Sequence, residues 1–225
     1  MNLDLLIFDF DGVISNSEYL SNLSLVETLA ELGLNLTVDE VDERFTGMGS
    51  QQMVASLMEH DGLIVPDDFQ ERNWVIVQRL MREQLQPVPG AREMLEALPK
   101  DLPKCIASNS FKEWIDFALE IMDLAHHFEE NVRFNADMVV HGKPAPDLHR
   151  HVLRCMGNID PKRALVIEDT ATGAGGATAA GIEVWGCTAV SPNPKAAYEK
   201  LIKSGCTQIM SEISQLPKLL GEKCC

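Results

Sequence analysis

Residues 5–10 form a compact, almost wholly apolar run that closes on acidic residues. A run of that length without polar alternation predicts a strand buried on both faces. Shorter runs at 104–107 and 164–167 repeat the theme, with weaker candidates at 183–187 and 207–210. Between them, residues 91–98, 112–121, 147–156, 172–180 and 194–203 carry apolar positions at helical spacing. Strand–helix–strand alternation predicts an α/β fold, a doubly wound (Rossmann-like) parallel sheet with helices on both faces.

One stretch breaks this rhythm. From about residue 18 to residue 85 the periodicity is helical throughout and no strand is convincing. Leu25, Leu29 and Leu32 fall on one helix face, Gly33 is a stop signal, and Thr37 is placed to cap the helix that follows. Further helices are predicted over 50–60 and 67–85. The sequence Pro87-Val88-Pro89-Gly90 then reads as a stiff hinge back into the alternating part. Two domains are therefore expected: an α/β core from residues 1–16 and 87–225, and an inserted all-helical domain from 17–86.

Composition narrows the function classes. The chain has 225 residues, enough to bury a core without disulfides, and 34 acidic against 19 basic residues give a net charge of −15. That balance argues against nucleic acid and against anionic membrane surfaces. Asp4, Asp9 and Asp11 interrupt the opening apolar run, so it reads neither as a signal peptide nor as a membrane helix. The six cysteines show no C-x-x-C pattern and no zinc spacing with histidine, as expected of reduced core thiols in a cytoplasmic protein. Cys224-Cys225 reads as a frayed tail.

In open parallel sheets, sites form beyond the carboxyl ends of the strands. After the first strand comes Asp9-Phe10-Asp11-Gly12, two carboxylates two residues apart followed by a turn-forming glycine. After the second comes Ser108-Asn109-Ser110, and after the strand at 164–167 comes Glu168-Asp169-Thr170. Lys143 lies in a proline-stiffened loop, Gly142-Lys143-Pro144-Ala145-Pro146. Clustered carboxylates repel one another, and a hard dication such as Mg²⁺ relieves that repulsion. One carboxylate can attack phosphorus and another can serve as general acid and base. A lysine and a hydroxyl can grip a phosphoryl group.

Asp9-x-Asp11-Gly12-Val13, Ser108-Asn109, Lys143-Pro144-x-Pro146-Asp147 and Glu168-Asp169-Thr170-x-x-Gly173 resemble the four ordered motifs of haloacid dehalogenase-like phosphohydrolases. Within that superfamily the chain is most similar to the β-phosphoglucomutase-like sugar phosphatases. The small-residue stretch Ala177-x-x-Ala180-Gly181 and the helical insert, which matches the family's cap, extend the similarity over essentially the whole chain. The resemblance implies a monomeric enzyme acting on a small phosphorylated metabolite. Asp9 would be the nucleophile and Asp11 the acid and base. Mg²⁺ would be held by Asp9, Asp169 and the backbone carbonyl of Asp11, with Glu168 acting through water or behind the ligands. Ser108, Asn109 and Lys143 would bind the phosphoryl group. Gly47, Ser50 and Gln51 of the cap loop would meet the leaving group as the cap closes.

Two departures refine the expectation. Mutases of the family carry a basic residue in that cap loop, and residues 48–52 here have none, which favours a phosphatase over a phosphosugar mutase. A non-catalytic binding module is disfavoured by the complete motif set. Elsewhere the plainer readings prevail. Gly173-x-Gly175-Gly176 is expected to serve close helix contact rather than a dinucleotide. The histidines, including His141 and His149, are expected to be solvated, and the tryptophans to fill core or cap. Residues 39–43 are expected to be a solvated helix face.

Overall fold

The computed structural model of the protein describes residues 3–45, 48 and 50–224. The chain divides into two compact units, one from Met1–Asn16 with Gln86–Cys225 and the other Ser17–Leu85. Among its described residues the second unit holds four helices: α1 (Glu18–Glu31), α2 (Val38–Phe45), α3 (Ser50–His60) and α4 (Phe69–Gln84). Its core gathers Leu25, Leu29, Val41, Phe45, Leu57 and Phe69, with Leu32 partly buried against them. The leucine face of α1 is thus the face that turns inward. Thr37 caps α2 as its position suggested. Its hydroxyl accepts from the Glu40 N–H at 3.2 Å, and the Glu40 carboxylate accepts from the Thr37 N–H at 2.8 Å. This is a reciprocal capping box. Arg79 of α4 pairs with Glu27 of α1, and Thr28 Oγ1 donates to Asn73 Oδ1 at 2.9 Å between the same helices.

The described residues of the first unit form six strands, β1 (Leu5–Phe8), β2 (Lys104–Ser108), β3 (Arg133–Asn135), β4 (Ala164–Glu168), β5 (Glu183–Cys187) and β6 (Gln208–Met210). They form one sheet in the order β3-β2-β1-β4-β5-β6, and every pairing is parallel. This is the doubly wound order that the alternation implied. The chain winds outward from β1 through β2 to β3, then crosses back to start β4 on the other side, so the switch point lies between β1 and β4. Phe8 is level with both Ile106 and Ile167, which brings the carboxyl ends of β1, β2 and β4 together.

The structure adds one strand and trims another. β3 has a single strongly apolar residue, Phe134, between short 3₁₀ turns, so no periodic signal marks it. β1 ends at Phe8 rather than residue 10. The Phe10 carbonyl already accepts from the N–H groups of Ile14 and Ser15, which turns the chain out of the ladder. That turn carries the chain beside its own return. Asn16 N donates to Gln86 O at 3.1 Å and Val88 N to Ile14 O at 2.9 Å, so residues 14–16 and 86–88 run together.

Helices α5 (Ala91–Ala97), α6 (Lys112–Ile121), α7 (Asp147–Cys155), α8 (Ala171–Ala179), α9 (Pro194–Lys203) and α10 (Leu216–Cys224) complete the unit. Strand residues of both parities are buried. Leu5, Ile7, Cys105, Ala107 and Val166 join Leu148, Val152, Ala174 and Ala177 in one core cluster. Leu6, Phe8, Ile106, Leu165 and Ile167 are buried as well, and Phe8 meets Phe128 edge to face. Burial of both faces is why the strands read as unbroken apolar runs. Three cysteines are core thiols as expected (Cys105, Cys187, Cys206), but Cys155 at the end of α7 is exposed. Cys225 and the Cys224 side chain lie outside the described residues. No helix among the described residues is long and apolar enough to cross a membrane.

His149 overturns the expectation of a solvated histidine. It sits on α7 with no solvent exposure, and neither ring nitrogen has a hydrogen-bond partner among the described residues. Helical spacing places it with Leu148, Val152 and Leu153, which are buried on the same helix. Burial, aided by the positive charge of Lys143, pushes its pKa down to about 3. The neutral ring is therefore the folded form, and its contribution to stability is complete above the ordinary value of 6.5. As pH falls below 6.5 the unfolded chain takes up a proton that the folded chain refuses, and stability drops by up to about 1.4 kcal/mol per pH unit. His149→Leu should reduce the loss of stability between pH 8 and pH 5 by about 2 kcal/mol. Equal slopes for the two proteins in urea titrations would refute this.

Helix α8 lies so close to the end of β4 that a Cβ on Gly173 would fall 1.5 Å from Glu168 Oε1, whereas one on Gly175 would meet nothing within 4 Å. Both positions are helical, so alanine brings the same propensity gain of up to about 1 kcal/mol at each. Gly175→Ala should show that gain. Gly173→Ala should instead lose about 1–3 kcal/mol to crowding against the carboxylate. Denaturation midpoints of the two variants measure the difference directly.

Candidate active site

The residues singled out after β1, β2 and β4 converge at the switch point. Asp9 directly follows β1, and its N–H donates to Ile167 O at 2.9 Å, which continues the ladder by one bond and holds the Asp9 backbone beside β4. Glu168 is the last residue of β4 and is wholly buried. Between these two carboxylates lies Lys143, whose Nζ donates to Asp9 Oδ1 at 2.8 Å and to Glu168 Oε1 at 2.5 Å. All three are buried. Asp169 joins them. One oxygen each from Asp9, Glu168 and Asp169 lie within 4.8 Å of one another.

Glu168 is a saturated hub. Its Oε2 accepts from the N–H groups of Asp169 and Thr170, both at 3.1 Å, and from the Thr170 hydroxyl at 3.0 Å, while Oε1 accepts from Lys143. Four donors on one buried carboxylate hold it fixed. Thr170 also accepts from Gly173 N at 3.1 Å, so it is the N-cap of α8.

Lys143 is held from behind. The Asn109 side-chain amide accepts from Lys143 N at 2.8 Å through Oδ1 and donates to Lys143 O at 2.9 Å through Nδ2. The side chain of Asn109 thus braces the lysine backbone. Gly142 permits that approach, since a Cβ there would lie 2.7 Å from Asn109 Oδ1. The Lys143–Pro144 peptide is cis. Ser108 ends β2, almost fully buried, and its Oγ accepts from Ser110 N at 3.0 Å. A hydroxyl that accepts one bond keeps its own proton to donate.

Asp11 stands apart from the carboxylate trio. Its Oδ1 accepts from Trp114 Nε1 at 2.9 Å and its Oδ2 from Ser110 Oγ at 2.5 Å. The sequence predicts core or cap packing for Trp114; 103 residues separate the partners, and no local pattern announces the contact. His141, in contrast, is mostly exposed and its Nδ1 lies 3.2 Å from Asp147 Oδ2. Gly47 lies outside the described residues, as do the side chains of Ser50 and Gln51.

The charges explain what the cluster can hold. Burial first, then the neighbouring Glu168 charge, pushes the Asp9 pKa up to about 7, although Lys143 works in the opposite direction. Burial would lower the Lys143 pKa, but Asp9 and Glu168 overturn that and hold the ammonium above its usual range. One lysine is thus firmly cationic yet insufficient for the carboxylates around it. The donor set is all hard oxygen, which fits Mg²⁺. The backbone also makes room for the acids. Gly12 has φ +77°, a conformation that favours glycine, and a Cβ there would fall 1.9 Å from Asp169 Oδ2.

Comparison with known proteins agrees with this geometry. The haloacid dehalogenase-like hydrolase family matches residues 3–181. The chain is 25% identical to the 6-phosphogluconate phosphatase of Escherichia coli, over 96% of this chain and 94% of that protein. It is 30% identical to the phosphorylated carbohydrates phosphatase of Thermotoga maritima, over 80% and 83% of the two chains. Among solved structures, a HAD family hydrolase from Deinococcus radiodurans with bound phosphate and sodium is 30% identical, with a TM-score of 0.78 over 98% of this chain and 96% of that one. With its motifs gathered at one sheet switch point and its match across most of the sequence, the chain belongs to the haloacid dehalogenase-like hydrolases.

Proposed function

We propose that the protein is a Mg²⁺-dependent phosphatase that hydrolyses a small phosphomonoester, a sugar phosphate or a related polyol or acid phosphate, through an aspartyl-phosphate on Asp9. The observation that carries it is the buried trio of Asp9, Lys143 and Glu168 beside Asp169. A carboxylate destabilised by burial and by a like charge is a reactive one. The relatives named for phosphogluconate and phosphorylated carbohydrates support the substrate class. Free thiols suit a reducing compartment, and we place the enzyme in the cytoplasm.

In this reading an Asp9 carboxylate oxygen attacks phosphorus, and the bond from phosphorus to the leaving oxygen breaks. Asp11 gives that oxygen a proton. Water then attacks phosphorus, Asp11 takes its proton, and the bond to Asp9 breaks to release phosphate. Lys143 and the Ser108 hydroxyl hold the phosphoryl oxygens. Asp9, Asp169 and the Asp11 carbonyl would hold Mg²⁺, which supplies Lewis-acid polarisation and offsets the local negative charge. Glu168, with both oxygens engaged, keeps Lys143 and the Asp169 backbone in place rather than binding substrate.

A screen across sugar phosphates, phosphoglycolate and phosphogluconate should show phosphate release that EDTA abolishes and Mg²⁺ restores. Asp9→Asn should fall to background, and Asp11→Asn should lose about 10²–10⁴-fold. No release from any phosphomonoester, with Asp9→Asn indistinguishable from the parent, would remove the enzymatic reading. Isomer formation from hexose 1-phosphates with a bisphosphate primer, without free phosphate, would replace hydrolysis by a mutase reaction.

A further inference from the structure

Asp11 is held at both oxygens by groups that the reaction scheme does not use. Trp114 lies in the first turn of α6, nearly buried, with its ring edge-on to Phe111 at 6.1 Å between centroids. Its Nε1 donates to Asp11 Oδ1 at 2.9 Å while Ser110 Oγ donates to Oδ2 at 2.5 Å. The two donors differ in kind. An indole N–H can only donate, whereas a hydroxyl can donate or accept. When Asp11 carries a proton, Oδ2 is the favoured oxygen, because a proton on Oδ1 would weaken that oxygen as the acceptor of the indole N–H. The proton can sit on Oδ2, because the Ser110 hydroxyl can turn round and accept.

We propose that Trp114 is a positioning residue that fixes the Asp11 carboxyl plane and assigns Oδ2 as the oxygen that gives and takes the proton, with Ser110 as its reversible partner. The inference rests on Asp11 being the acid and base. In the first half-reaction the Oδ2–H proton passes to the leaving oxygen as its bond to phosphorus breaks, and Asp11 is left as a carboxylate with both hydroxyl and indole donating to it. In the second half-reaction Oδ2 takes a proton from the attacking water, the bond from phosphorus to Asp9 breaks, and the electron pair returns to the Asp9 carboxylate. Oδ1 remains an acceptor throughout, anchored to a side chain that the rigid start of α6 holds in place.

The test is leaving-group dependence of kcat/KM, which reports the steps up to departure of the leaving group. An alkyl phosphate needs a proton at its leaving oxygen, and p-nitrophenyl phosphate does not. Trp114→Phe keeps the ring and removes the N–H. It should lower kcat/KM for the alkyl substrate about tenfold, the worth of one hydrogen bond to a charged group, and leave the aryl substrate within about threefold, less than such a bond is worth. Ser110→Ala should bias the two substrates in the same direction, which keeps the test open if the tryptophan variant folds poorly. Asp11→Asn, run alongside, should show the strongest bias. If Asp11→Asn biases the substrates and neither Trp114→Phe nor Ser110→Ala does, or if both slow the two substrates equally, the positioning role is overturned. If Asp11→Asn shows no bias, the acid–base assignment itself falls, and the inference with it.

Discussion

A single buried ammonium organises the centre of this molecule. Lys143 Nζ sits between Asp9 and Glu168, which close two adjacent strands, and its loop is tied to the end of a third strand through Asn109. Like charges at neighbouring strand ends would separate without it, and a buried ion with its partner removed typically costs a fold about 3–5 kcal/mol. The glycines around the cluster follow from the same constraint. Gly12, Gly142 and Gly173 each occupy a place where a methyl group would collide with Asp169, Asn109 or Glu168. Close approach of backbone to charge therefore dictates residue choice well outside the acidic residues themselves.

The same geometry separates two kinds of carboxylate. Glu168 has four donors and no mobility to lose, so it acts as a fixed part of the frame. Asp9 has one lysine bond and a pKa pushed up to about 7 by burial and by Glu168. The difference arises from position along the strand ends. Glu168 lies where the turn into α8 offers two N–H groups and a hydroxyl, and Asp9 lies where the chain has already begun its turn through Phe10. Reactivity in this cluster thus follows from an unequal supply of hydrogen-bond donors to chemically similar groups.

Much of this was legible in the sequence, for reasons that can be stated. Strands buried on both faces leave uninterrupted apolar runs, so β1, β2 and β4 announce themselves, and with them the residues that follow. Ordered motifs then bring Asp9, Ser108, Lys143 and Glu168-Asp169 into one hypothesis. What was hidden depends on contacts between distant positions. β3 carries too little apolar sequence to be seen. The exchange between the Asn109 side-chain amide and the Lys143 backbone spans 34 residues, and no local pattern announces it. His149 looked like a solvated polar residue because α7 is otherwise rich in charge, and only its helical phase puts it inside. Trp114 read as filler because nothing local links an indole on α6 to a carboxylate after β1.

The pairing of residues 14–16 with 86–88 bears on how such a protein can diversify. Where the chain leaves the sheet-bearing unit and where it re-enters are hydrogen-bonded neighbours, so in the connectivity of the sheet all of Ser17–Leu85 is one long loop. Closing a loop whose ends already meet depends only weakly on its length, at about 0.6 kcal/mol for each doubling. The inserted helices can accordingly be lengthened, rebuilt or exchanged with little consequence for the strand register that sets the carboxylate cluster.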